Sequence, residues 1–124
     1  MGNPFVHVEL STTNLAKAKT FYQAAFDWKL EEMPADDGMA YTMINVGDGT
    51  GGGMMEHAPA DGPSAWLPYV MVADIKRAVE SARALGATIK VEPAEVKDYG
   101  WYAVIIDPTG ATLGLWMNNP GKSC

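Results

Sequence analysis

The chain carries an internal repeat, and this constrains its fold more than any other feature. Tyr41 to Met55 reads YTMINVGDGTGGGMM, and Tyr102 to Met117 reads YAVIIDPTGATLGLWM. At an offset of 61 residues Tyr41 aligns with Tyr102, Ile44 with Ile105, Gly49 with Gly110, Gly53 with Gly114 and Met54 with Leu115. Each segment reads as strand, tight glycine turn, strand. In the second, Asp107 to Gly110 (DPTG) places a proline where φ near −65° is wanted and a glycine after it.

The repeat extends upstream. Phe5 to Ser11 (FVHVELS) is a β-rich run followed by TTNLAKAKTFYQAAF; Trp66 to Val72 (WLPYVMV) is another, followed by ADIKRAVESARALG. Asn14 and Asp74 suit N-caps, because a short side-chain oxygen can take a free amide at the start of a helix. Leu15, Ala18, Phe21, Tyr22 and Ala25 recur at helical spacing, as do Ile75, Ala78, Val79, Ala82 and Leu85. Gly86 fits a helix C′ position. Trp28 to Met33 and Ala87 to Glu92 then read as further strands, and loops are expected at 34–38, 58–64 and 93–99. Each half is thus β-α-β-β-β. Residues 1–124 are read as one pseudo-symmetric domain, with module one at about 1–57, a linker at 58–64 and module two at about 65–118. One unit has too little surface to bury a core alone, so two must pack within a chain or exchange between chains.

Composition narrows the class. The apolar share of 48% in 124 residues supports a core, and no apolar run is long enough to cross a membrane. A net charge of −6, with nine scattered basic residues, argues against a nucleic-acid partner. The start, MGNPFVHVEL, lacks the basic and apolar regions of a signal peptide. The one cysteine, Cys124, cannot form an internal disulfide, so a cytoplasmic location is the expectation.

With HVELSTTNLAKAKTFYQAAFDWKL at one end and VIIDPTGATLGLW at the other, the chain resembles the vicinal oxygen chelate superfamily of glyoxalase I, bleomycin-resistance proteins and extradiol dioxygenases. The resemblance implies an α+β fold. Its two βαβββ modules would form a curved, partly closed mixed sheet around a concave pocket, with one helix per module packed outside. In metal-using members, His and Glu or Gln at four strand positions hold a divalent ion. Those positions correspond here to His7, Gly53, Pro68 (or Leu67 if the strand slips by one) and Gly114. Only His7 can bind a metal, far short of the three or four ligands a stable site needs. No metal cofactor is therefore expected. A rearranged site from His7, Glu9 and Glu56 is the alternative.

Strand alternation supplies the expected pocket lining. His7 and Glu9 share one face of the first strand. Gly53 and Met55 share one face of the fourth, Trp66 and Pro68 of the fifth, and Gly114 and Trp116 of the last. Trp101, Tyr41 or Tyr102 completes the aromatic surround of the pocket, and Asn45 is a candidate hydrogen-bond partner of His7. The expected ligand-binding set is His7, Glu9, Asn45, Gly53, Met55, Trp66, Trp101, Gly114 and Trp116. The two inward glycines read as open space, and an aromatic cavity with few polar groups is a common small-molecule site. The expected function is metal-free binding of a small aromatic or cationic ligand. The alternative is a glyoxalase-like lyase, isomerase or dioxygenase-type enzyme with a rearranged divalent-metal site. Analogy with the family adds a homodimer.

Overall fold

Both helices begin where the caps place them. In a computed structural model, which describes residues 2–33 and 41–119, Asn14 accepts a hydrogen bond from the Lys17 amide and opens α1 (Leu15–Ala25). Asp74 accepts from the Arg77 amide and opens α2 (Ile75–Ala84). Gly86 closes α2 at φ +103°, a conformation that side chains rarely adopt. The expected loop at 34–38 and Cys124 lie outside the described residues.

Eight strands accompany the helices: β1 (Phe5–Thr12), β2 (Lys29–Met33), β3 (Tyr41–Asn45), β4 (Gly52–Glu56), β5 (Ala65–Met71), β6 (Thr88–Val96), β7 (Gly100–Ile106) and β8 (Thr112–Asn118). The chain divides into two units. Among the described residues the first holds 7–67, and the second holds 68–119 together with 2–6. The first has strand order β2-β3-β4-β1, with β1 parallel to β4 and the other pairs antiparallel. The second repeats this as β5-β8-β7-β6, with β5 parallel to β8. The fold is therefore α+β with mixed sheets, and each module is a βαβββ unit with its own helix.

Each helix covers the apolar face of its own strands. Leu10, Ile44 and Met54 are buried under Leu15, Ala18 and Tyr22 of α1. Ile75 and Val79 of α2 are buried against Ala103 and Leu115. Phe21 and Leu85, expected on these stripes, are 60% and 80% exposed. Phe21 lies beside the stripe rather than on it, and Leu85 is the C-cap residue of α2. The loop expected at 93–99 is also shorter than read, because β6 continues to Val96 through Pro93. Pro93 is tolerated since β6 is an edge strand whose register shifts between Val91 and Ala94.

Candidate functional site

In the first unit, alternation along β1 sends Val8 and Leu10 one way and His7, Glu9 and Ser11 the other. Glu9 pairs with Gly53 across the parallel β1–β4 ladder, and Gly53 pairs with Met43 of β3. Tyr41, two residues before Met43, shares that face. Its phenol meets both β1 side chains: Tyr41 Oη donates to Glu9 Oε1 at 3.1 Å and lies 2.7 Å from His7 Nε2. The phenol has one hydrogen and gives it to Glu9, so its oxygen accepts from His7 Nε2–H. The result is a directed chain from imidazole to phenol to carboxylate. His7 and Glu9 themselves are 3.9 Å apart.

The glycine at position 53 makes this chain possible. A Cβ there would overlap the Tyr41 hydroxyl and the adjoining ring carbons. The space expected to be open is thus filled by a tyrosine from the neighbouring strand. Gly114, in the second unit, is filled likewise: it pairs with Tyr69, whose ring occupies the place of its missing side chain. Both glycines at family ligand positions are seats for tyrosines rather than voids.

Burial sets the charges. Desolvation raises the Glu9 pKa above the ordinary carboxylate value, against the lowering effect of the Tyr41 hydrogen bond. Desolvation also lowers the pKa of His7, which favours the neutral ring. Among the described residues, no Lys or Arg lies within ion-pair distance of Glu9. The face continues onto β2, where Met33 pairs with Tyr41 and Glu31 with Met43. There an open groove of about 520 Å³ is lined by Lys29, Glu31, Met33, Met43 and Asn45.

The other candidate residues fall into separate places. Met55 follows Gly53 on the same face of β4. Asn45 borders the groove, but its Oδ1 accepts from the Gly47 amide, so it braces a turn. Trp66 lies on the α1 side, where its indole donates to Tyr22 Oη and its ring meets Tyr22 and Trp28 edge-on. In the second unit Trp101 packs on the α2 side, with Lys76 Nζ 5.3 Å from its ring centre. Trp116 lies against Gly100 and donates to Asn118. The expected parity of β5 is therefore reversed. Val70 packs on the α2 core while Tyr69 meets Gly114, which puts Trp66 and Pro68 on the helix side. The family's third position thus falls on Leu67.

The donor set does not suit a divalent ion. Gly53, Leu67 and Gly114 offer no side-chain donor, and the phenol occupies the place of a residue-53 ligand. Glu56 accepts from the Leu15 amide at the start of α1, away from His7 and Glu9. Among the described residues, no three His, Cys, Asp or Glu side chains are grouped to hold a metal.

Sequence reasoning offers Tyr41 only as one of several aromatics around the pocket, not as the hydrogen-bonding hub, and it misses a second contact. Ser11 Oγ lies 2.6 Å from His57 Nδ1, and His57 Nε2 lies 2.8 Å from the Gly62 carbonyl oxygen. The signal for Tyr41 was present: it heads the first repeat segment, two residues ahead of the partner of a ligand-position glycine.

Paired βαβββ modules, with a histidine at the first ligand position and glycines at two others, define a glyoxalase-type fold with a polar face in place of a full ligand set. The chain belongs to the Glyoxalase/Bleomycin resistance protein/Dioxygenase superfamily, whose sequence profile matches residues 5–115. It is 32% identical over 116 residues to "Putative glyoxylase CFP32" of Mycobacterium tuberculosis and to the protein of that name in Mycobacterium bovis. The match covers 90% of this chain and 44% of each relative, so the chain spans less than half of their length. Among solved structures, it superposes on a protein from Bacillus halodurans, BH1468, with a TM-score of 0.76 at 14% identity, covering 100% of both chains. Methylmalonyl-CoA epimerase from Mycobacterium tuberculosis gives a TM-score of 0.70 at 17% identity, covering 94% of this chain and 88% of the other. A methylmalonyl-CoA epimerase in complex with methylmalonyl-CoA gives 0.68 at 13%, covering 98% and 99%. These likenesses establish the shared fold. Among the described residues, no helix is long and apolar enough to cross a membrane.

Proposed function

We propose that this chain is a metal-free small-molecule-binding member of the superfamily. The ligand lies in the groove of the first unit, on the sheet face that also carries the His7–Tyr41–Glu9 chain. The observation that carries this reading is the phenol seated over Gly53, which puts a hydrogen-bonded polar chain where a metal ligand would stand. A groove of about 520 Å³ fits the usual range for small-molecule sites. A largely buried carboxylate that, among the described residues, has no Lys or Arg within ion-pair distance favours a ligand that brings its own positive charge, because pairing offsets the cost of burial. Methylmalonyl-CoA epimerase, a structural neighbour, holds a CoA ester on the same fold. A cytoplasmic homodimer completes the reading, supported by the single cysteine and by analogy.

Thermal shift and calorimetry with arylalkylammonium compounds, phenethylammonium for one, test it. Expected is a melting temperature that climbs with ligand concentration, as linkage requires, and a response lost in Glu9→Gln. A stoichiometric divalent metal in the purified protein, lost in His7→Ala, would overturn the reading in favour of the lyase, isomerase or dioxygenase alternative. For that alternative, Glu56 is already engaged at the α1 N-terminus.

A further inference from the structure

His57 directly follows β4, and its amide donates to the Thr12 carbonyl, which extends the parallel ladder by one bond. That places its imidazole diagonally across from Ser11. The ring bridges two groups: Ser11 Oγ at Nδ1, 2.6 Å away, and the Gly62 carbonyl at Nε2, 2.8 Å away. A carbonyl oxygen only accepts, so Nε2 must carry the hydrogen of the neutral ring. Nδ1 is then the acceptor, and the Ser11 hydroxyl donates to it. A hydroxyl donating to an imidazole that is itself oriented by a third group is the arrangement that activates a nucleophile. Both side chains are half-buried rather than sealed in the core. Ser11 also shares its face of β1 with Glu9 and His7.

We propose that Ser11 and His57 form a nucleophile–base pair that accepts an acyl group from an activated ester. As Ser11 Oγ bonds to the acyl carbon, its proton passes to His57 Nδ1. The tetrahedral adduct expels the alcohol oxygen, which takes that proton from Nδ1 and leaves as the free alcohol, with the acyl group on Ser11. Water then attacks the acyl carbon and gives its proton to Nδ1. The Ser11 oxygen leaves with that proton, releasing the carboxylic acid and restoring the pair. The Gly62 carbonyl holds the ring throughout and stabilises the protonated imidazole.

The purified chain is treated with a fluorophosphonate probe and, separately, with p-nitrophenyl acetate, and the adduct is mapped by peptide mass spectrometry. Expected is a single adduct on Ser11, absent in Ser11→Ala and slowed at least tenfold in His57→Gln, with folding of both variants verified by circular dichroism. Should Ser11→Ala fail to fold, Ser11→Cys replaces it. Its thiol, facing His57, is expected to be alkylated by iodoacetamide faster than the same thiol in the His57→Gln background. No adduct on Ser11 in folded protein, labelling undiminished by His57→Gln, or equal alkylation in both backgrounds overturns the proposal. None of these outcomes depends on the ligand of the His7 face.

Discussion

The two modules solve one geometric problem with different chemistry. In both, a glycine of the last strand lies against the parallel first strand, and in both a tyrosine ring fills the space of its missing side chain. In the first module the tyrosine is half-buried and ends in a hydroxyl shared between His7 and Glu9. In the second it is Tyr69, buried to 6% exposure beside Gly114. The register places Tyr69 where the first module has Glu9, and Leu67 where it has His7. Duplication has kept the backbone seat while one copy became a polar face and the other an apolar support. Family ligand positions thus mark where a side chain fits, and the partner strands decide what it does.

The largest expected effect is at the buried seat. Gly114→Ala drives a methyl into a ring that has nowhere to go, and should cost about 3 kcal/mol, the upper part of the overpacking range. Gly53→Ala should cost less, about 1–2 kcal/mol, because the half-buried Tyr41 can swing toward solvent; it should still abolish ligand binding. Urea denaturation of the two variants decides this, and equal costs would break the contrast between the modules. Tyr41→Phe keeps the ring and removes only the hydroxyl, so about 1 kcal/mol is expected. Losing that hydrogen bond removes the influence that lowers the Glu9 pKa, so NMR titration should find the carboxyl shifted further upward.

The smallest effect is the pH dependence, where the two groups act with opposite sign. Glu9 is raised in the folded protein, so the folded state binds more protons than the unfolded one between the ordinary and the raised value. Stability contributed there falls as pH rises through that window. His7 is lowered, so the unfolded state binds more protons between the lowered and the ordinary value, and stability rises with pH there. Melting curves across pH should lose the first slope in Glu9→Gln and the second in His7→Asn. The corresponding Tyr69→Phe variant, in a module without these acids and bases, should leave both slopes intact.

Much of the fold was legible because several local signals agreed. Asn14, Asp74 and Gly86 act where their short side chains or missing Cβ predict. The alternation in β1 was readable because polar His7 and Glu9 interrupt apolar Val8 and Leu10. β5 offered no such contrast: in WLPYVMV every residue is apolar or aromatic, so one-residue slips look alike, and Trp66 was placed on the wrong face. The site was hardest to read where its contacts join distant residues. Tyr41 reaches His7 across 34 residues of sequence, and His57 reaches Ser11 across 46, and no local periodicity encodes such a meeting. The glycines misled for a physical reason, since a missing side chain reports close approach but not what approaches.

The parallel pairing of β1 with β4 has a kinetic consequence. A tight turn can zip β3 onto β4, or β7 onto β8, within a few residues. The parallel ladders close only after a helix and two further strands lie between their ends. Chain entropy is lost before such long-range contacts compensate it. Glu9 therefore meets Gly53, and Tyr69 meets Gly114, late on the folding path. Substitutions at the two glycines should accelerate unfolding and leave the refolding rate nearly unchanged. The seats that define the chemistry of each module would then be the last parts of the molecule to form.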